Sequence, residues 1–161
     1  MTLDVHLFPC RSDNYGFLIR DGATGVVAAV DTPDAARILE ELERLGWGRL
    51  DLVLNTHWHL DHTEGNERLK AEAACEIVGP QEVRRVAPLD RVVADGDTVM
   101  VGQTRFQVVA TPGHTLGHVV FHAPDDRLAF VGDTLFALGC GRLFEGTPEQ
   151  MFDSLQRIKA W

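Results

Sequence analysis

The sequence predicts an α/β (α+β) fold: two β-sheets packed against each other with helices on the outside. The predicted elements run strands, helix, strand, helix, many strands, helix, an order that suits layered sheets with helices against them. A chain of 161 residues that is 45% hydrophobic can bury one substantial core, so residues 1–161 are expected to form a single domain. Turn-forming residues divide the second half into short strands rather than helices.

Val5 to Pro9 reads as the first strand. Tyr15 to Arg20 and Val26 to Val30 follow as a hairpin, joined by the turn Asp21-Gly22-Ala23-Thr24-Gly25. Asp31-Thr32-Pro33 is expected to start a helix, with Thr32 as its cap and Pro33 in its first position. Ile38, Leu39, Leu42 and Leu45 recur at helical spacing, and Gly46 ends the run. Leu50 to Leu54 is a strand, Glu67 to Ala74 a helix, Cys75 to Gly79 a strand, and Pro80 to Val86 a turn or short helix.

Arg91 to Val93, Asp97 to Val101, Arg105 to Ala110, Val119 to His122 and Arg127 to Val131 read as strands. The last helix spans Pro148 to about Lys159. Thr147 and Gln150 form a capping-box pattern before it, and Met151, Phe152, Leu155 and Ile158 make its apolar stripe.

Composition excludes several classes. The net charge of −9 argues against nucleic acid, which needs clustered basic residues. No apolar run approaches the roughly 18 residues that span a membrane, and the N-terminus lacks the pattern of a signal peptide. Cys10, Cys75 and Cys140 are odd in number and widely spaced, which suggests reduced thiols and a cytoplasmic setting.

The chemistry concentrates in Thr56-His57-Trp58-His59-Leu60-Asp61-His62, directly after a predicted strand. Neutral imidazole and carboxylate are both good ligands for a divalent cation. His57, His59 and Asp61 alternate, so an extended or tightly turned backbone would aim them to one side, with His62 pointing elsewhere. One loop can then serve two neighbouring metals.

Two later stretches have the same character. His114 sits at the apex of Thr111-Pro112-Gly113-His114, and Asp133 follows the strand ending at Val131. A carboxylate has two oxygens and can bridge two cations. His57, His59 and His114 are thus expected on one metal, Asp61 and His62 on the other, and Asp133 between them. His6, His118 and His122 read as structural, with His118 buried and hydrogen-bonded.

Thr-His-x-His-x-Asp-His, Thr-Pro-Gly-His-Thr-x-Gly-His and Gly-Asp-Thr-Leu-Phe together resemble the metallo-β-lactamase-fold superfamily. The run from Gly132 to Thr147, with the early Asp13-Asn14-Tyr15, is most similar to the hydroxyacylglutathione hydrolase (glyoxalase II) family. The resemblance implies an αββα sandwich of two mixed sheets. It also implies a two-metal site, usually zinc with iron or manganese in some members, and hydrolysis of S-D-lactoylglutathione to D-lactate and glutathione.

It carries His57, His59 and His114 over to the first metal, Asp133 to the bridge, Asp61 and His62 to the second metal, and Arg142 to the glycine carboxylate of glutathione; Asp61 is further expected to orient the attacking hydroxide. Phe144 falls where Tyr is common. The family pattern continues beyond this sequence with another strand, a further metal-binding histidine and a helical substrate domain. By that comparison the chain is truncated, its second metal lacks one protein ligand and is open to partial occupancy, and its final helix is left uncovered for self-association.

Two other readings use the same residues. A persulfide dioxygenase of this fold would hold one iron through His57, His114 and Asp133. A metal-binding domain without turnover is the third.

Overall fold

The computed structural model describes residues 3–161. The first sheet contains β1 (Leu3–Cys10), β2 (Asn14–Asp21), β3 (Val27–Val30), β4 (Leu52–Leu54), β5 (Glu76–Gly79) and β6 (Arg91–Val92), in that spatial order. β1, β2 and β3 pair antiparallel, whereas β3 through β6 pair parallel. The parallel part has helices in its connections: α1 (Ala35–Leu45) joins β3 to β4, and α3 (Asn66–Ala73) precedes β5.

The second sheet contains β7 (Thr98–Val101), β8 (Thr104–Ala110), β9 (Val119–Ala123) and β10 (Leu128–Phe130), in the order β10-β9-β8-β7. It was expected to be mixed like the first, but all its pairs are antiparallel, because loops rather than helices connect its successive strands.

Two apolar layers hold this together. Between the sheets lie Ile19, Val30, Leu54, Val99, Phe106 and Phe121, all essentially inaccessible. Behind the first sheet, Leu18, Ala29 and Val53 meet Ile38 and Leu42 of α1 and Leu69 of α3. β3 and β4 are therefore covered on both faces, which is why they read as unbroken apolar runs rather than alternating ones.

α4 (Pro148–Lys159) packs against the turns that follow β8 and β10. Its capping box forms as predicted, with Gln150 N donating to Thr147 Oγ1 at 3.2 Å and Thr147 N to Gln150 Oε1 at 2.9 Å. Beyond α4, Trp161 stacks on His122 of β9, with ring centroids 3.9 Å apart.

Several local expectations are corrected. The cap of α1 is Asp34, whose Oδ1 accepts from Ala36 N at 2.9 Å. Thr32 is buried instead and donates to Asn66 Oδ1 at 2.6 Å. β1 continues through Pro9 to Cys10, because an edge strand has a side on which the missing N–H is not needed. α4 packs by one face, where Met151 is buried and Ser154 Oγ donates to Pro112 O at 2.7 Å. Phe152 drops out of the apolar stripe and is 60% exposed.

Candidate metal centre

The functional side chains sit where strands end. β4 runs into Asn55-Thr56-His57, β8 into Thr111 to His114, and β10 into the single 3-10 turn Gly132–Thr134 that carries Asp133. The two sheets meet here through Val119 N, which donates to Thr56 O at 2.9 Å.

His57, His59 and His114 converge. His59 Nδ1 lies 3.1 Å from His57 Nε2 and 2.9 Å from His114 Nε2. Their other nitrogens explain the orientation. Thr56 Oγ1 donates to Asp31 Oδ2 at 2.8 Å, so its oxygen is free to accept from His57 Nδ1 at 3.0 Å. His114 Nδ1 donates to Arg142 O at 2.7 Å. His57 and His114 therefore both turn unprotonated Nε2 atoms towards His59.

A proton on His59 Nδ1 can serve only one of these two acceptors well, so lone pairs are left facing each other unless a cation lies among them. Metal–nitrogen bonds of about 2.0–2.1 Å in a tetrahedral site place ligand nitrogens about 3.3 Å apart. The geometry and the donor types fit a divalent cation, and the hydrogen bonds behind the rings are the usual means of fixing ligand tautomers.

A second group adjoins the first. His57, His62 and Asp133 each offer a ligand atom within 4.8 Å of the others. Asp133 faces both ways: Oδ1 is 3.3 Å from His62 Nε2, and Oδ2 is 3.3 Å from His114 Nε2. Asp61 Oδ2 lies 3.5 Å from His62 Nε2. The loop does not keep the expected alternation, because Leu60–Thr63 winds into one helical turn, α2. That turn sets the Asp61 and His62 side chains facing each other.

The electrostatics follow from this crowding. Burial, reinforced by the neighbouring imidazoles, drives His57 well below the ordinary histidine value and lowers His59 less far. Burial also opposes protonation of His62, but the Asp31 and Asp133 carboxylates outweigh it and hold the ring up at about 10. Asp133 is pushed up by burial, yet His62 and His114 bring it below the usual carboxylate range.

His118 is fully buried and structural as expected, lowered to about 3 by burial and His114. Its Nε2 accepts from Asp133 N at 3.1 Å and so anchors the turn that carries Asp133. That turn passes so near that a Cβ on Gly132 would lie 2.6 Å from His118 Nε2, and the residue has φ +49°. His6 is also structural, paired with Glu41 at 2.8 Å.

The sequence reading missed Asp31. Its carboxylate accepts from Thr56 N, Thr56 Oγ1 and His62 Nδ1, each at 2.8 Å. The available signal was an aspartate directly after an apolar strand, the same cue that marked Asp133. Asn14, noticed only as part of a motif, donates to Asp61 Oδ2 at 3.2 Å.

Phe144 lies edge-on to His59 and His114, with centroids 5.2 and 5.3 Å away. Arg142 is exposed and its guanidinium sits 5.5 Å from the Phe144 ring. Cys140 is exposed and belongs to neither ligand group. A cavity of about 680 Å³ opens on the Asp61 and His62 side, lined also by Asn14, Tyr15, Phe17 and Phe136.

A two-sheet sandwich with histidine and aspartate turns gathered at one end defines a class, and the sequence comparison agrees. The Metallo-beta-lactamase superfamily pattern matches residues 13–159, and the chain belongs to that superfamily. Within it, the chain is 54% identical over 159 residues to the hydroxyacylglutathione hydrolase of Brucella anthropi, covering 98% of this chain and 61% of the relative. It is 50% identical over 160 residues to the Hyphomonas neptunium protein of the same name, covering 99% of this chain and 62% of that one.

The chain thus spans about 62% of the length of such relatives. Among solved structures, ETHE1 from Myxococcus xanthus superposes with a TM-score of 0.82 at 33% identity, over 98% of this chain and 69% of that one. No helix of the described residues is long and apolar enough to cross a membrane.

Proposed function

We propose that this chain carries the metal centre of a hydroxyacylglutathione hydrolase-type thioesterase, which converts S-D-lactoylglutathione and water to D-lactate and glutathione. The observation that carries the reading is the convergence of His57, His59 and His114 around one point, with Asp133 spanning to His62. The relatives of that name, at 50–54% identity, support it. His59 standing within 3.1 Å of His57 and 2.9 Å of His114 favours three imidazoles over the one-iron persulfide arrangement.

His57, His59 and His114 would hold the first cation, Asp61 and His62 the second, and Asp133 both. Zinc is the first choice, with iron or manganese as alternatives. Two bound divalent cations supply an acidified water and charge stabilisation where the oxyanion develops. Asp61 orients the attacking oxygen, itself held by Asn14. A C–O bond forms as the C–S bond breaks, and the proton released ends on the thiol of glutathione. Arg142, whose guanidinium sits 5.5 Å from the Phe144 ring, would meet the substrate carboxylate, and Phe144 would wall the site beside His59.

The test is elemental analysis of the purified chain together with thioester hydrolysis after metal loading. Close to two metals per chain and turnover of S-D-lactoylglutathione are expected. A folded chain that binds metal and hydrolyses nothing supports the non-catalytic metal-binding reading instead.

A further inference from the structure

Glu82 is a buried carboxylate outside both ligand groups. It lies in the 3-10 turn Gln81–Arg85, which follows β5 of the first sheet, and is 7% exposed. Its Oε1 accepts from Thr115 Oγ1 at 2.6 Å and its Oε2 from Gly117 N at 2.7 Å. Both donors belong to the loop of the second sheet between His114 and His118.

The residue between them is gripped as well. Leu116 N donates to Glu145 Oε2 at 2.9 Å, and Glu145 Oε1 accepts from Arg85 Nη1 at 3.0 Å. Three consecutive loop residues are thus held by two carboxylates, and Arg85 closes the circuit back to the turn that carries Glu82. The fit is close: a Cβ at Gly117 would lie 2.5 Å from Glu82 Oε2, so only glycine admits this contact. Burial raises the carboxyl pKa of Glu82, against the lowering effect of the hydrogen bonds from Thr115 and Gly117.

We propose that Glu82 is a positioning residue for the metal centre, holding the Thr115–Gly117 loop so that His114 stays in register with His59. The proposal rests on the reading of His57, His59 and His114 as one ligand set. The physical reason is the origin of those ligands. His57 and His59 follow a strand of the first sheet, His114 follows a strand of the second, and Glu82 reaches from the first to grip the second. Loss of such support behind a ligand typically weakens metal binding by about 10–100-fold.

Glu82→Gln tests this, because an amide cannot accept from both donors. Metal-free 161-residue protein is titrated with Co(II), read by its visible spectrum, with circular dichroism confirming the fold. A folded Glu82→Gln variant binding about 10–100-fold more weakly is expected. Wild-type affinity and spectrum in that variant would overturn the proposal.

Thr115 gives a second measure that stands even if Glu82→Gln fails to fold. Thr115→Ser keeps the donor to Glu82 and should retain wild-type Co(II) affinity, whereas Thr115→Val should lose it several-fold. Equal affinities in the two overturn the proposal. Wild-type protein that takes up no Co(II) would instead defeat the ligand-set reading, and this inference with it.

Discussion

His62 Nδ1 lies 2.8 Å from Asp31 Oδ2, a contact between residues 31 apart in the chain. Asp31 follows β3 and His62 lies in α2, so the bond ties the end of one strand to the loop of its neighbour. It leaves His62 Nε2 as the atom that faces Asp133 and Asp61.

Asp31→Ala should therefore act at the metal centre without removing any of the proposed ligands. Removing the acceptor frees the His62 ring and leaves Thr56 N, Thr56 Oγ1 and His62 Nδ1 without their partner. Affinity at the second site should fall about 10–100-fold, as expected for a supporting carboxylate. Competition with a chromogenic chelator measures it, and an unchanged constant in folded protein would defeat the idea.

Asp133→Ala should remove both cations rather than one. Its two oxygens face His62 and His114 separately, so one carboxylate reaches towards both groups. Metal analysis of the purified variant should show tight binding lost at both sites. An unchanged metal complement would rule out the bridging role.

Metal-free protein should be most stable near pH 6.5. His62 is held up at about 10 from an ordinary 6.5, so its contribution is complete below 6.5 and is lost as pH rises through 10. His118 runs the other way: lowered to about 3, it contributes fully above 6.5, and that contribution is lost as pH falls towards 3. Thermal unfolding across pH, with chelator present, should give a maximum between these flanks. A flat profile would contradict the assignment.

Phe144→Tyr should lower KM for the glutathione thioester while leaving kcat within about twofold. The ring already lies against His59 and His114, and the added hydroxyl offers the contact expected of the Tyr common at this position. One such bond contributes about 0.5–1.5 kcal/mol, or roughly 2–10-fold in KM. Steady-state kinetics on the metal-loaded variant decide it; an unchanged KM would remove Phe144 from the substrate contacts.

Much of the architecture was legible because its signals are local. Apolar runs such as Val27–Val30 and Leu52–Leu54, the left-handed Gly46 after α1 and the Thr147/Gln150 capping box each depend on residues close in sequence. Strand ends followed by histidine or aspartate likewise singled out His57, His59, His114 and Asp133, which the fold brings together.

Distant contacts settled the rest. Thr32 looked like a cap, but a buried partner 34 residues away draws its hydroxyl to Asn66. His62 looked turned away from Asp61, but one helical turn brings the two side chains within 3.5 Å. Which nitrogen His114 presents depends on a carbonyl 28 residues away, and which nitrogen His62 presents depends on Asp31. The sequence by itself determined which residue types could bind a cation and that they follow strand ends. Only the tertiary structure decided their grouping, since directions and proton positions are set by neighbours that packing, not chain order, brings within about 3 Å.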